Sequence, residues 1–187
     1  MARAKDFLML AMARKTSYEF TERKVPKTAV KKILEAARWA PSSHNGQPWS
    51  FIVVEDRHTV ERVLQACYYG LFHTDPPLII VAVLEPMHAE QQDQLKEDLA
   101  EVIANHKYMD ISLPVVNMTY EAESLGISSC ILSLAVKEAN SILKVPEGCD
   151  AILAVGLGYE KKGAFQRARQ RKELPEFVFH ERYGKKK

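Results

Sequence analysis

The sequence predicts a layered domain of the α/β or α+β class. Three long apolar runs, rich in branched side chains, indicate strands, and apolar residues recur at helical spacing between them in an irregular order. The chain has 187 residues, of which 47% are hydrophobic and 27% are charged. That composition is typical of a globular protein, and the length is sufficient for one core. We therefore expect residues 1–187 to form a single domain.

The predicted strands differ in how much burial their sequences imply. Residues 78–84 contain no polar side chain, so we expect a central strand that is covered on both faces. Residues 49–55 are aromatic and branched, which predicts a second buried strand. Residues 151–159 predict a third long strand, and residues 127–131 predict a short one.

The helices are marked by apolar periodicity and by prolines and glycines at their ends. One helix is expected to have Pro26 in its first turn and to end before Pro41. Another is predicted over residues 112–125, with Pro114 in its first turn and Gly126 as a left-handed terminator. Further helices are predicted up to residue 13, over residues 60–67 and over residues 134–143, with a peripheral helix-prone segment over residues 86–106.

Several functional classes are disfavoured by the motifs that the chain lacks. The formal net charge is only +2 and no basic–aromatic motif occurs, so we expect no nucleic-acid partner. The six histidines form no H-x-x-x-H pair, so we expect no metal site. Gly156-x-Gly158 lacks the third glycine of a dinucleotide fingerprint, and neither a phosphate-binding G-x-x-x-x-G-K-[S/T] loop nor a G-x-S-x-G turn occurs.

The cysteines and the apolar runs predict the cellular compartment. Cys67, Cys130 and Cys149 form no C-x-x-C pair, which favours reduced thiols. The first residues lack the long apolar segment of a signal peptide, and the longest later apolar run, residues 78–84, is too short to span a bilayer as a helix. We therefore expect a cytoplasmic protein without a membrane partner.

A polar loop, residues 40–48, connects a predicted helix to a predicted strand. Between Pro41 and Pro48 it contains two hydroxyl groups, two amides, an imidazole and a glycine. Such residues form ordinary surface turns, and they also line loops that bind polar ligands. The composition of the loop leaves both interpretations open.

Two cationic segments lie far apart in the chain. The first contains Arg14, Lys15 and Thr16, and the second contains Arg167, Arg169, Arg171 and Lys172. A guanidinium group can bind phosphate oxygens through two parallel hydrogen bonds. If both segments converge, they would form a site for a phosphomonoester, and the polar loop would bind the rest of a nucleotide-like cofactor.

These segments resemble motifs of the FMN-dependent nitroreductase family. Arg14-Lys15-Thr16-x-Tyr18-x-Phe20 is similar to the family's opening R-R-S-x-R-x-[F/Y], and residues 40–54 are similar to its A-P-S-S-x-N-x-Q-P-W-x-F-I-V-V. Asp75-x-Pro77, Val145-Pro146-Glu147-Gly148 and the basic residues 171–178 follow in the family's order. The resemblance extends over nearly the whole chain.

The resemblance implies an α+β fold in which a central, mainly antiparallel sheet is wrapped by helices. It also implies an interlocked homodimer with two FMN sites at the subunit interface, where several of the polar-loop residues come from the other subunit. The implied cofactor-binding residues are Arg14, Lys15, Thr16 and Tyr18 in the first segment, Pro41, Ser42, Ser43, Asn45 and Gln47 in the polar loop, Ile131, Leu132 and Ser133 beside the flavin ring, and Arg169 and Arg171 at the phosphate.

Two positions depart from the family pattern. Tyr18 stands where the resemblance implies an arginine beside the N1/O2 edge of the flavin. A cation there would stabilise the anionic reduced flavin, so we expect a lower flavin potential or a substitute cation such as Lys15. Ser133-Leu134 stand where the family often has two glycines, and Leu134 is expected to crowd the ring or narrow the substrate slot.

The function implied by the resemblance is that of an FMN-dependent oxidoreductase. It would use NADH or NADPH to reduce a nitroaromatic, a quinone or a related small electrophile by a ping-pong mechanism. Because the cofactor carries out the redox chemistry, we expect no catalytic side chain. Two alternatives stay open: a divergent reductase or dehalogenase on the same fold, in which residues 85–110 could form a lid, and a flavin-binding sensor or carrier without turnover.

Overall fold

The sheet at the centre of the protein is antiparallel throughout. A computed structural model describes residues 7–68, 74–86 and 100–186, with only the backbone described for residues 100–106. Within these residues the sheet has four strands in the order β1-β2-β4-β3. The strands are β1 (Trp49–Val54), β2 (Leu78–Leu84), β3 (Ser128–Ser133) and β4 (Asp150–Gly158). The predicted α+β class with an antiparallel sheet is therefore confirmed.

Helices cover both faces of the sheet, so the fold has three layers. The helices are α1 (Phe7–Ala13), α2 (Lys27–Arg38), α3 (Arg57–Gln65), α4 (Ala100–Ser124), α5 (Val136–Leu143) and α6 (Leu174–Phe177). Apolar residues of α2 and α4 pack on one face of the sheet, and those of α3 and α5 pack on the other. Each face thus has its own hydrophobic cluster, with the sheet between them.

The strand predictions are confirmed in position, but the burial of the first was overestimated. Every residue of β2 is buried, because β2 lies between two strands and its side chains alternate between the two clusters. By contrast, β1 is an edge strand, and only Val54 within it is fully buried. The prediction of a buried strand over residues 49–55 is therefore wrong about burial, since apolar composition does not distinguish an edge strand from a central one.

The prediction for helix α4 was wrong about its start and correct about its end. The helix begins at least as early as Ala100, so Pro114 lies in its interior instead of its first turn. The predicted segment over residues 86–106 lies mostly outside the described residues. At the other end, Gly126 has a φ of 70°, and the N–H of Ile127 donates to the carbonyl of Ala122 at 2.8 Å. That bond closes a Schellman turn, as the glycine predicted.

The registers of the strands define two opposite ends of the sheet. At the Trp49 end, β1 and β4 begin while β2 and β3 end; at the Gly158 end the reverse holds. Because β2 has seven residues, the two ends are roughly 20 Å apart. The polar loop enters the sheet at the Trp49 end. Residues 14–20 cross the Gly158 end, where Thr16 forms a bridge with Ser129 and Phe20 forms one with Glu160.

Among the described helices, the long α4 included, none combines the length and the apolar character that a membrane span requires.

Candidate functional site

The polar loop adopts an unusual backbone conformation. It contains a one-turn 3-10 helix over Ser43–Asn45. His44, Asn45 and Gln47 have φ values of 51°, 55° and 48°, whereas the loop glycine, Gly46, has a φ of −67°. The left-handed region is therefore occupied by three residues that carry a Cβ atom, in a loop that contains a glycine elsewhere. Such conformations persist only where the surrounding structure imposes them.

Hydrogen bonds from the body of the protein reach this loop at Ser43. The backbone N–H and the hydroxyl of Ser43 both donate to Oδ1 of Asp110 on α4, each at 3.1 Å. Ser42 forms a hydrogen bond within the loop, because its hydroxyl oxygen accepts from the N–H of Gln47 at 3.0 Å. The side-chain amide of Asn45 has no hydrogen-bond partner among the described residues. Pro41 is exposed and begins the loop after α2.

The first cationic segment runs along the start of β3. Thr16 bridges to Ser129, and the N–H of Ser17 donates to the Ser129 carbonyl at 3.0 Å. Lys15 places its ammonium group 2.5 Å from Oε2 of Glu160, which follows β4. The positive charge of Lys15 is thus already balanced within the chain. Its implied role at the cofactor stays a prediction, and this pairing makes it a weak substitute for the missing arginine.

Glu160 joins the two cationic segments, which are far apart in sequence. Its carboxylate accepts from Lys15 and from the buried Ser17 hydroxyl, at 2.7 Å for the latter, and from the Gln166 side chain at 2.6 Å. Partial burial alone would raise the pKa of Glu160. The hydrogen bonds from Lys15 and Ser17 outweigh that effect, so its pKa lies below the ordinary value of 4.5.

Arg14 and Arg167 both act electrostatically on the buried Cys130 thiol, and we call these two residues the arginine pair. Burial raises the pKa of the Cys130 thiol to about 12, the nearby Cys67 adds to the rise, and the positive charges of Arg14 and Arg167 oppose it. The guanidinium carbon of Arg167 also lies 5.0 Å from the centroid of the Tyr18 ring. Neither arginine forms an ion pair among the described residues. One arginine from each cationic segment therefore acts on the same buried thiol.

Other predicted cofactor residues are not brought into this arrangement. Arg169 and Arg171 are exposed, and Arg171 donates to the carbonyl of its neighbour Gln170 at 2.9 Å. On β3, Ile131 and Ser133 are exposed on one face, whereas Leu132 is 7% exposed and packs in the core. Only the backbone of Leu132 could therefore contact a ligand on the exposed face of the strand.

The hypothesis that Leu134 crowds the flavin ring is not supported by its position. Leu134, directly after β3, is 2% exposed and packs in the same cluster as Leu132, with residues of α3 and α5. The departure at Ser133-Leu134 therefore places an apolar side chain in the core and a hydroxyl on the exposed face.

The cationic segments and the polar loop lie at opposite ends of the sheet within one chain. The arginine pair accompanies β3 near Ser129, at the Gly158 end, whereas Ser43 and Gln47 precede β1 at the Trp49 end. A ligand that contacts both would have to extend roughly 20 Å across the chain. The chain therefore presents two separate groups of candidate site residues, which we call the cationic half-site (Arg14, Thr16 and Arg167) and the polar half-site (residues 40–48).

Two kinds of chemistry find no support in the described part of the chain. No three His, Cys, Asp or Glu side chains lie together there in a way that could hold a metal ion. Cys67 and Cys130 are poor nucleophiles, because burial raises the pKa of the Cys67 thiol to about 11 and that of Cys130 to about 12.

Sequence reasoning missed Glu160 and Asp110. Glu160 lies 145 residues from Lys15 in the chain, so nothing local signals their ion pair. Asp110 is one acidic residue on a long helix, and only its low exposure of 7% identifies it as unusual. A carboxylate that must balance buried polar groups is recognisable only after the fold has brought its partners to it.

The fold and the site together define an α+β protein with a cationic half-site and a polar half-site. The chain belongs to the nitroreductase family: the sequence model described as Nitroreductase family matches residues 11–159. A protein of Archaeoglobus fulgidus with the provisional name NADH dehydrogenase/NAD(P)H nitroreductase is 28% identical over 161 residues, which cover 83% of this chain and 86% of that one. An iodotyrosine deiodinase of Haliscomenobacter hydrossis is 26% identical, and the alignment covers 92% of this chain and 87% of that protein.

Solved structures confirm the fold. An FMN-dependent nitroreductase of Clostridium difficile superposes with a TM-score of 0.75 at 22% identity, covering 94% of this chain and 99% of that one. A nitroreductase family protein of Streptococcus pneumoniae gives a TM-score of 0.78 at 20% identity, and the superposition covers 94% of this chain and 100% of that one. The chain therefore has the nitroreductase fold that its motifs implied.

Proposed function

We propose that this protein is an FMN-dependent oxidoreductase that works as a homodimer. NADH or NADPH would supply the electrons, and a nitroaromatic, a quinone or a related small electrophile would receive them in a ping-pong cycle. The observation that carries the proposal is the arginine pair, two guanidinium groups without ion-pair partners among the described residues, on a chain of this family.

The donors of the cationic half-site fit a phosphate monoester. Arg14 and Arg167 carry two uncompensated charges, and the Thr16 hydroxyl belongs to the same segment as Arg14. A phosphate dianion would balance the two charges and accept hydrogen bonds from both guanidinium groups. We therefore propose that Arg14, Thr16 and Arg167 hold the FMN phosphate, with Arg169 and Arg171 as further candidates.

The separation of the two half-sites supports a site that is shared between two subunits. If the polar loop of one subunit faces the arginine pair of its partner, both half-sites contact one FMN. Exposed apolar side chains are available for such an interface on α1, α4 and the residues after β4. They include Phe7, Leu8, Met9, Met12, Met109, Leu113, Val116, Phe165, Leu174 and Phe177. Exposed apolar surface of this extent is typical of interfaces.

The residues of this chain would position the cofactor and the substrates without a catalytic side chain. A bound FMN supplies the chemistry, since its ring can take two electrons from a nicotinamide and deliver them to an acceptor. The arginine pair would fix the phosphate end, the polar loop would bind the edge of the ring, and the backbone of β3 at Leu132 would pass beside it. The free thiols of the chain fit a reducing compartment such as the cytoplasm.

The test is a visible spectrum of the purified protein followed by anaerobic titration with NADH and with NADPH. A yellow protein that either nucleotide bleaches, and that a nitroaromatic or quinone recolours, is the expected result. A yellow protein that neither nucleotide bleaches would favour a flavin-binding carrier or sensor. A colourless protein that does not bind added FMN would contradict the proposal.

A second reaction, reductive dehalogenation, is suggested by the iodotyrosine deiodinase among the relatives. In that reaction two electrons and a proton replace an aromatic halogen with hydrogen, and the halide leaves. Release of iodide from 3-iodotyrosine by the reduced protein, faster than reduction of a nitroaromatic, would favour this activity.

A further inference from the structure

Asp110 is a nearly buried carboxylate that faces the polar loop from the middle of α4. It is 7% exposed, and its Oδ1 accepts two hydrogen bonds from Ser43, each at 3.1 Å. No lysine or arginine of the described residues forms an ion pair with it. A buried carboxylate without a cation is unfavourable unless hydrogen bonds stabilise it. Ser43 therefore supplies the hydrogen bonds that stabilise the Asp110 carboxylate.

The segment that follows Ser43 is strained. His44, Asn45 and Gln47 occupy the left-handed region, although none of them is glycine. Each such residue costs on the order of 1 kcal/mol or more relative to an ordinary conformation. The loop is also mostly exposed between Pro41 and Gln47, so apolar packing does not hold it in place.

Three backbone N–H groups within the loop donate to the two serines. The N–H of Asn45 donates to the Ser42 carbonyl at 3.1 Å, that of Gly46 to the Ser43 carbonyl at 2.9 Å, and that of Gln47 to the Ser42 hydroxyl at 3.0 Å. Because Ser43 is bound to Asp110 through its own N–H and hydroxyl, Asp110 connects the serine-centred part of this network to α4.

We propose that Asp110 is a positioning residue that holds the polar loop in the conformation that receives the cofactor. The inference rests on the proposed function, since that function places the loop at FMN. Asp110 also determines what Ser43 offers: its hydroxyl hydrogen is donated to the carboxylate, so only its lone pairs are available to a ligand. The Asn45 amide, the Ser42 hydroxyl hydrogen and the second N–H of the Gln47 side chain remain as donors of the loop.

The chain contains a matched control for Asp110. Asp56 also accepts one backbone N–H and one hydroxyl from a single residue, Thr59, at 2.9 and 2.7 Å, but it caps α3 and does not contact the loop. Asp110→Ala and Asp56→Ala therefore remove the same two kinds of bond at different places. Asp110→Asn retains an Oδ1 acceptor and should preserve both bonds to Ser43.

The first measurement is the dissociation constant of FMN from the apo dimer, with the melting temperature recorded for each variant. Asp110→Ala is expected to weaken FMN binding about tenfold, because the loop must then be ordered at the expense of binding energy. Asp56→Ala should lower the melting temperature and leave the dissociation constant within about twofold, and Asp110→Asn should stay within about threefold of the original protein. A purely structural role for Asp110 would lower the melting temperature alone.

The second measurement needs no flavin. Asn45-Gly46 can deamidate when the Gly46 nitrogen attacks the side-chain carbonyl carbon of Asn45 and ammonia leaves. In the folded loop the Gly46 N–H is engaged with the Ser43 carbonyl at 2.9 Å. Asp110→Ala should therefore accelerate deamidation of the apo protein, measured by mass spectrometry, whereas Asp56→Ala should not.

The two measurements separate the possible failures. If the original protein binds FMN and Asp110→Ala binds it equally well, Asp110 does not position the cofactor site, and the inference is overturned. Unchanged deamidation in Asp110→Ala would show that Asp110 does not hold the loop, which overturns it as well. If the original protein binds no FMN, the proposed function fails, and the deamidation rates alone decide whether Asp110 anchors the loop.

Discussion

The guanidinium group of Arg167 lies over the ring of Tyr18, with 5.0 Å between its central carbon and the ring centroid. Tyr18 occupies the position where the family motif has an arginine, so the fold brings a cation from a distant segment to the place where the local cation is missing. Lys15, the substitute expected from the sequence, is instead paired with Glu160. As an alternative to the phosphate role proposed above, Arg167 is therefore a better candidate than Lys15 for the missing cation.

Substitution of Arg167 should lower the midpoint potential of bound FMN. A cation near the ring favours the anionic reduced form, so Arg167→Gln should weaken binding of reduced FMN more than binding of oxidised FMN. A tenfold difference between the two losses corresponds to about 30 mV for a two-electron couple. Tyr18→Arg should raise the potential and should restore it in the Arg167→Gln background. The potential would be measured by dye equilibration.

Arg169→Gln is the control for this experiment, because Arg169 is equally cationic and forms no contact with Tyr18 among the described residues. If Arg167→Gln weakens both redox states equally and leaves the potential unchanged, Arg167 binds the phosphate and does not substitute for the missing arginine. An unchanged potential in Tyr18→Arg would count against a role for position 18.

Removal of the Glu160 carboxylate should destabilise the protein at neutral pH. Glu160→Gln loses the charged partner of Lys15 and Ser17, which we expect to cost about 1–2 kcal/mol of unfolding free energy. Since the folded-state pKa lies below 4.5, this contribution is present above pH 4.5 and disappears as the pH falls through the folded-state value. Urea unfolding between pH 3 and pH 7, taken as points about one unit apart, should show a flatter profile for Glu160→Gln.

Glu35→Gln provides the comparison. Glu35 also pairs with a cation, Arg38, at 2.5 Å, but both side chains are more than half exposed, at 52% and 61%. Its loss should leave stability nearly unchanged, because exposed pairs contribute little. Equal effects of the two substitutions would mean that burial of Glu160 is unimportant.

The proposed dimer predicts that assembly and FMN binding are lost together. Leu113 and Val116 are 40% and 39% exposed on α4, although both are apolar. Leu113→Glu or Val116→Glu should convert a low-micromolar dimer into a monomer in sedimentation velocity, with FMN affinity falling in parallel because each subunit supplies half of the site. A folded monomer of the original protein that binds FMN with full affinity is the result that would refute the shared site.

Gly158 should not tolerate a side chain, for a reason unrelated to nucleotide binding. A Cβ atom at this position would lie 2.7 Å from Cδ of Pro77 and 2.8 Å from Cδ1 of Phe20. Gly158→Ala should therefore destabilise the protein by about 1–3 kcal/mol in chemical denaturation. Pro77→Ala removes one of the two obstructing groups, so the double variant should recover part of the loss. If the double variant is no more stable than Gly158→Ala alone, the contact with Phe20 is the one that destabilises the protein.

Most elements of the fold were predicted correctly because their strongest sequence signals lie within a few contiguous residues. The uninterrupted apolar run of β2 required burial on both faces, and Gly126 supplied the left-handed turn that ends α4. Pro114 gave the wrong helix start because a proline is compatible with a first turn and, at some cost, with an interior position. The partial exposure of β1 was missed because the position of a strand within the sheet depends on which strands pair with it.

The sequence by itself determined the family, the antiparallel α+β fold and the identity of the polar loop and the two cationic segments, since each is encoded in contiguous residues. Only the tertiary structure decided which charges remain uncompensated. Lys15 and Glu160, and Ser43 and Asp110, meet across separations of 145 and 67 residues. The same long-range pairing placed the polar loop and the arginine pair at opposite ends of one sheet, where strand length keeps them apart.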